Sequence, residues 1–271
     1  MDLIDYDEKA FNAVKEEFRN FAMKLDIPDL SFIPVSALHG DNVVERSSKM
    51  PWYEGSSLLH HLEEVHIASD RNHIDARFPV QYVIRPQNEE HHDYRGYAGT
   101  IAGGVFKPGD EVVVLPSGFT STVASIDSYD GPISEAFGPM SVTMRLTSDV
   151  DISRGDMICR PNNQPSVSQN LQAMVCWMSE SIELVPRMKL ALKHTTRSSR
   201  VLASEIQYRI DVNTLHRDEK PESLKLNEIG RVSLRSTQPL FFDEYRRNRN
   251  TGSFILMDLS LIHISEPTRR T

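Results

Sequence analysis

From residue 77 onward the sequence is a series of short apolar segments separated by turn residues, and this pattern limits the fold more than any other feature. Turn sequences such as Lys107-Pro108-Gly109-Asp110 and Leu115-Pro116-Ser117-Gly118 separate segments rich in Val, Ile and Tyr. The strands predicted in the first part of this region are 77–86, 97–106, 111–115, 122–126, 141–146 and 156–160. Regularly spaced short strands of this kind indicate a small antiparallel barrel.

A second series of apolar segments follows the sequence Pro-Asn-Asn-Gln-Pro at residues 161–165, which is typical of a linker. The strands predicted beyond it are 171–178, 187–192, 201–210, 231–234 and 254–257. The charged stretch 218–222 contains Pro221 and is predicted to be a loop. We therefore predict a second all-β domain, with Cys176 and Trp177 packed in its core.

The N-terminal region has a different pattern. Residues 5–25 predict a helix, because Asp5 and Glu8 have capping-box spacing and an apolar stripe follows at Phe11, Val14, Phe18, Phe21 and Leu25. A short apolar strand is predicted at 32–35, and a second helix at 56–66 with Ser56 as its cap. This order indicates part of an α/β domain. The apolar stripe is expected to pack on strands that this sequence lacks, so that residues 1–50 expose apolar surface.

Charge and composition narrow the range of functions. The formal net charge of -8 argues against general nucleic-acid binding, and the arginines at 197, 200 and 209 and at 246, 247 and 249 are interpreted as ion-paired or solvated. Six histidines, at 60, 61, 66, 73, 91 and 92, are interpreted as solvated, so no metal site is predicted. No apolar run approaches the roughly 20 residues of a membrane span, and the acidic N-terminus does not resemble a signal peptide. With two cysteines and no sign of secretion, a cytoplasmic protein is expected.

The order of segments, part of an α/β domain followed by two β-barrels, resembles elongation factor Tu and its relatives. Met1-Asp2-Leu3 resembles the end of the Asn-Lys-x-Asp motif that binds guanine in that family, and Ser36-Ala37-Leu38 resembles its second guanine motif. The resemblance implies that Asp2 accepts hydrogen bonds from the base and that the turn at Ser36, Ala37 and Leu38 supplies a backbone N–H. The alternative is a terminal Asp2 and an ordinary turn at Ser36.

The resemblance implies GTP as the ligand, but the sequence has no G-x-x-x-x-G-K-[ST] motif to hold phosphates and Mg²⁺. The Mg²⁺ ligands of a complete GTPase domain are therefore missing here, and this chain is not expected to hydrolyse GTP unaided. The string Asp93-Tyr94-Arg95-Gly96 follows the guanine motifs instead of preceding them, and we attribute it to chance.

More specific similarity lies downstream. Residues 50–59, from Met50-Pro51-Trp52, are similar both to elongation factor 1-alpha and to the GTPase large subunit (subunit 1) of bacterial sulfate adenylyltransferase. Residues 78–86, 94–101 and 251–258 resemble specifically the large subunit. This resemblance implies a GTP-driven subunit of an enzyme that converts ATP and sulfate to adenylylsulfate and pyrophosphate, with a small adenylyltransferase subunit as partner. Two alternatives are a translation-factor fragment that binds aminoacyl-tRNA and a β-barrel interaction module with no nucleotide role.

These observations predict a mainly β chain in four parts. Residues 1–66 are the remnant of the GTPase domain and its linker, residues 67–165 and 166–258 form the two barrels, and residues 259–271 are a non-native tail. The tail is assigned because the resemblance stops after Asp258 and the remaining sequence resembles translated sequencing adapter. We therefore expect a fragment truncated at both ends.

Overall fold

The computed structural model describes residues 1–259 except 26, 28, 66–71 and 87–93. It divides into two compact units, Met1–Asp70 and Arg71–Thr271. The first unit contains helices α1 (Glu8–Ala22) and α2 (Leu58–Glu64), and the second contains the strands. Among the described residues, no helix has both the length and the apolar character needed to cross a membrane.

Helix α1 begins three residues later than predicted. Asp7 is its N-cap, with carboxylate oxygens that accept from the backbone N–H of Lys9 at 3.1 Å and of Ala10 at 3.3 Å. Asp5 follows a short 3₁₀ turn at Asp2–Ile4 and has a left-handed backbone, with φ of 48°. The prediction of Asp5 as the cap is therefore wrong, because Asp5 ends the 3₁₀ turn in a left-handed conformation and the helix begins only after Asp7.

The apolar stripe of α1 is only partly covered within the first unit. Val14 is 66% exposed and Phe18 is 46% exposed, although the Phe18 ring lies 6.0 Å from that of Phe32. The predicted strand at 32–35 is wrong, because no strand ladder forms there and only an isolated bridge joins Ser36 to Asp41. The exposed stripe agrees with the expectation for a helix without a sheet beneath it.

Helix α2 is shorter than predicted. It begins at Leu58 with Ser57, not Ser56, in the N-cap position. The Ser57 hydroxyl donates to the carbonyl of Val44 at 2.7 Å and therefore does not cap the helix. Residue 66, the predicted end, lies outside the described residues.

The second unit contains fifteen named strands. They are β1 (Arg77–Ile84), β2 (Gly96–Thr100), β3 (Val105–Phe106), β4 (Glu111–Leu115), β5 (Phe119–Ser128), β6 (Gly131–Ile133), β7 (Ala136–Phe137), β8 (Ser141–Leu146), β9 (Met157–Cys159), β10 (Ser166–Cys176), β11 (Met188–His194), β12 (Arg197–Ile210), β13 (Arg217–Glu219), β14 (Ile229–Phe242) and β15 (Ile255–Asp258).

The first sheet closes into an antiparallel barrel. Its order is β4-β9-β1-β2-β8-β5, strand β5 pairs back to β4, and β6 extends from β5. Side chains of these strands form one apolar core that includes Phe78, Tyr97, Ile126 and Met144, and Phe106 of β3 packs into it. The predicted small barrel is confirmed. Glycine is required at Gly99, where an added Cβ would lie 2.6 Å from the carbonyl oxygen of Pro79 on β1.

The second sheet has the order β10-β14-β12-β11-β15, with β13 paired to β12. Its core includes Trp177, Leu190, Ile206, Val232 and Leu234. The mainly β fold is thus confirmed, with two corrections. The strand at residues 217–219 overlaps the first two residues of the loop predicted at 218–222, and Cys176 is exposed while Trp177 is buried as predicted.

A buried polar network joins the two sheets within the second unit. Arg77 on β1 is 1% exposed and donates from Nε and Nη2 to the two carboxylate oxygens of Asp243, both at 2.9 Å. The Thr251 hydroxyl donates to the same carboxylate at 2.7 Å. Asp75 accepts two hydrogen bonds of 2.6 Å from Arg247. We call Arg77, Asp243 and Thr251 the junction network.

Candidate nucleotide-binding site

The structure brings the two predicted guanine motifs together in the first unit. The Ser36 hydroxyl donates to Asp2 Oδ1 at 2.7 Å, although the two residues are 34 positions apart. The N-terminal amino group of Met1 donates to the carbonyl of Val35 at 3.0 Å. The start of the chain therefore lies beside the turn that begins at Ser36.

Asp2 retains capacity to accept further hydrogen bonds. The hydrogen bond from Ser36 is the main cause that holds the pKa of Asp2 below its usual value, so the carboxylate is ionised at neutral pH. Among the described residues, Ser36 is the one side chain that donates a hydrogen bond to this carboxylate, and the N-terminal amino group lies 3.6 Å from the same oxygen, Oδ1. An ionised carboxylate is an acceptor only, and it matches a ligand that presents N–H groups.

The turn that contains Ser36 offers hydrogen-bond donors, whereas Asp2 offers an acceptor. Ser36 is buried and its N–H donates to the carbonyl of Asp41 at 3.1 Å. Ala37 and Leu38 are exposed, Leu38 by 79%, and within the described part of the chain their N–H groups have no acceptor. A carboxylate and free backbone donors thus border one region of this unit.

Residues that the sequence did not indicate hold these parts in place. Asp41 accepts from Ser47 Oγ at 2.6 Å, from Tyr6 Oη at 2.7 Å and from Lys49 Nζ at 3.1 Å. These partners, Ser47 first, lower the pKa of Asp41 to about 2. Asn42 has φ of 58° and its side chain donates to the carbonyl of Pro34 at 2.9 Å. Because Tyr6 and Lys49 are 43 positions apart, no local pattern could have revealed this cluster.

The polar groups at this turn are hydrogen-bond donors and acceptors. No cluster of His, Cys, Asp and Glu among the described residues could hold a metal ion. His60 lies on α2 with its Nε2 3.1 Å from a carboxylate oxygen of Glu64, whereas His66, His91, His92 and Asp93 lie outside the described residues. This turn therefore offers one carboxylate acceptor, that of Asp2, and the exposed backbone N–H donors of Ala37 and Leu38.

The arginine clusters noted in the sequence are partly ion-paired, as interpreted. Arg209 pairs with Asp218 at 2.7 Å and with Glu228 at 2.6 Å. The Arg197 guanidinium lies 4.7 Å from the ring centroid of Phe241, and burial lowers its pKa. These arginines therefore serve contacts within the second unit.

Comparison with known proteins gives close relatives along nearly the whole chain. The bifunctional enzyme CysN/CysC of Mycobacterium tuberculosis is 57% identical over 258 residues, which is 95% of this chain and 42% of the relative. Sulfate adenylyltransferase subunit 1 of Bacteroides fragilis is 48% identical over 258 residues, which is 95% of this chain and 53% of the relative. The chain thus spans about half the length of the curated relatives it matches.

The profile of the family described as GTP-eEF1A C-terminal domain-like matches residues 170–263. Among solved structures, Sup35 complexed with GMPPNP has a TM-score of 0.62 at 21% identity, covering 94% of this chain and 63% of that one. Translation elongation factor SelB from Methanococcus maripaludis, in its apo form, has a TM-score of 0.57 at 19% identity, covering 75% of this chain and 42% of that one. At these identities the structural likeness establishes the fold.

Proposed function

Because this chain belongs to the family of sulfate adenylyltransferase large subunits, within the elongation factor Tu-like GTPases, we propose that it is part of a GTP-binding subunit that drives adenylylsulfate formation. The observation that carries the proposal is the 57% identity over 95% of the chain. The reaction joins ATP and sulfate to form adenylylsulfate and pyrophosphate. A small adenylyltransferase subunit performs it as the partner, in the cytoplasm.

Asp2, Ser36, Ala37 and Leu38 form the guanine-binding edge in this proposal. The carboxylate of Asp2 accepts from the N–H groups on one side of guanine, and the N–H of Ala37 or Leu38 donates to its carbonyl oxygen. Ser36 positions Asp2 through the 2.7 Å hydrogen bond. This sequence has no phosphate-binding loop, so this chain alone binds GTP weakly and does not hydrolyse it.

The role of GTP follows from linkage. The phosphate–sulfate anhydride is a high-energy bond, so its formation must be coupled to a favourable reaction. A bound nucleotide shifts the partner subunit only as far as its GTP and GDP states differ in their contacts with that subunit. In this proposal residues 67–165 and 166–258, the two β domains, supply part of the contact surface.

The test is co-elution of this chain with a purified small adenylyltransferase subunit on a sizing column, beside an aminoacyl-tRNA control. Co-elution with the subunit and not with tRNA supports the proposal. Binding of tRNA that weakens steeply with salt, without binding of the subunit, would instead support a translation factor. If neither binds, repeating the experiment with a chain that includes the GTPase domain decides whether that domain carries the contact.

A further inference from the structure

A groove at one edge of the first barrel is lined by arginines that the proposed function does not use. Its volume is about 460 Å³, and its lining includes Arg85, Arg95 and Arg145 together with Tyr94 and the segment 146–149. The arginines lie at or near the ends of β1, β2 and β8, which are consecutive neighbours in the sheet. The strand order therefore gathers three cations that are up to 60 positions apart in the sequence, the separation of Arg85 and Arg145.

Two of these arginines have carboxylate partners that are mostly solvated. Arg95 donates to the carbonyl of Val150 at 2.9 Å and pairs with Asp149, whose side chain is 84% exposed. Arg85 lies 3.5 Å from Asp151, whose side chain is 92% exposed. Exposed ion pairs of this kind contribute little and exchange readily, so an incoming anion can replace either carboxylate.

The third arginine has no acidic partner among the described residues. The Arg145 guanidinium lies 5.1 Å from the centroid of the Tyr94 ring, which orients it without neutralising it. Among the described residues that line it, the groove therefore has three guanidinium groups and one carboxylate, that of Asp149, in a chain whose net charge is -8. Guanidinium groups present paired donors that match the oxygens of phosphate and sulfate.

We propose that this groove is an anion-binding site for a small phosphate- or sulfate-bearing ligand. The volume is within the range of small-molecule sites, and the hydroxyl-bearing residues Thr147 and Ser148 line the same surface. In the bound state Arg145 and Arg95 hold the oxyanion, and Asp149 turns out to solvent. None of the guanine-binding residues takes part, so the proposal does not depend on GTP binding.

Calorimetric titration of this chain with pyrophosphate, and separately with sulfate, at constant ionic strength tests the proposal. Saturable binding is expected, and it should weaken about tenfold in Arg145→Gln, because one charge-assisted contact is lost. The affinity of Arg145→Lys, which keeps the charge but loses the paired donors, should lie between that of the unchanged chain and that of Arg145→Gln. The matched control is Arg200→Gln, an exposed arginine on β12, which should leave the affinity unchanged.

Asp149→Asn tests the competition directly. Removing the carboxylate frees Arg95, so the affinity for pyrophosphate should rise several-fold while the effect of Arg145→Gln is retained. The relative affinities for sulfate and pyrophosphate identify which oxyanion the groove prefers. Thermal unfolding of each variant checks that its fold is intact.

Three results would overturn the proposal. They are absence of saturable binding, equal weakening in Arg145→Gln and Arg200→Gln, and tighter binding of a short single-stranded RNA than of pyrophosphate at matched salt. The second would indicate general charge attraction, and the third a nucleic-acid surface.

Discussion

Each of the two units of this chain is stabilised internally by a different kind of interaction. Among the described residues of the first unit few apolar side chains are buried, Ala22 and Met50 among them, and its segments are joined by polar contacts around Asp41 and by aromatic contacts such as that of Phe11 with Trp52. The second unit contains all three buried apolar clusters found in the described residues. Burial of apolar surface is the larger contribution to folding, so the second unit should remain folded when the polar contacts of the first unit are lost.

The largest effect is expected from breaking the junction network in the second unit. Arg77→Met leaves Asp243 buried without its cation, which should cost about 3–5 kcal/mol in the free energy of unfolding. Urea unfolding followed by the fluorescence of Trp177, in a Trp52→Phe background, measures it. Arg85→Met, at an exposed arginine on the same barrel, should cost less than about 1 kcal/mol.

The double variant Arg77→Met/Asp243→Leu separates the ion pair from packing. Replacing both partners removes the unpaired charge, so much of the lost stability should return. A double variant as unstable as Arg77→Met would show that the network matters through its shape or through Thr251 instead.

Amide exchange should distinguish the two units directly. The exposed Val14 and Phe18 leave α1 without a full apolar partner, so its amides should be at least roughly 100-fold less protected than those of β1 and β12. Hydrogen–deuterium exchange with peptide-level mass spectrometry reports both regions in one sample. Equal, slow exchange in α1 and the barrels would contradict the comparison.

The guanine-binding edge should respond to substitution without any change in the barrels. Asp2→Asn replaces one acceptor oxygen by an NH₂ donor, so GDP affinity should fall by about tenfold. The preference should shift toward xanthine nucleotides, because xanthine carries a carbonyl where guanine has an amino group. Fluorescence titration with labelled GDP and its xanthine analogue measures both affinities. Asp7→Asn, which keeps an oxygen to cap α1, serves as the control outside the edge.

The sequence predicted regular features well and long-range polar contacts poorly. Short apolar strands and their turns identified the closed barrel, because alternation and turn chemistry are local signals. Strand β14 runs from Ile229 to Phe242, far beyond the predicted 231–234. The prediction stopped short because polar residues, several of them exposed, occupy the centre of the strand. The Asp5–Glu8 pattern competed with Asp7, and only the preceding turn decides between them.

The site shows the same division. The proximity of Asp2 and Ser36 was expected from a family resemblance, not from any pattern in composition. The supporting contacts of Asp41 with Tyr6 and the pairing of Arg77 with Asp243 join positions 35 and 166 residues apart. Such pairs depend on the tertiary fold, and single-sequence periodicity carries no information about them.

The smallest expected effect is a difference in how the two units respond to acid. His194 in the second unit is buried, its Nε2 lies 2.7 Å from the carbonyl of Thr251, and burial lowers its pKa. The unfolded chain therefore binds a proton more readily than the folded one. This stability is present above the usual histidine pKa of about 6.5 and is lost below it, with a slope of at most about 1.4 kcal/mol per pH unit.

In the first unit the group that makes stability depend on pH is Asp41, whose pKa is lowered to about 2. Its contribution is present above the usual aspartate pKa of about 4 and is lost only as the pH falls from there toward 2. Because each unit contains one tryptophan, Trp52 and Trp177, single-tryptophan variants followed from pH 8 to pH 2 report the units separately. The second unit should weaken first, and His194→Gln should remove that early loss while leaving the first unit's profile unchanged. Coincident profiles, unaffected by His194→Gln, would mean that the units unfold as one and that their different construction has no consequence for stability.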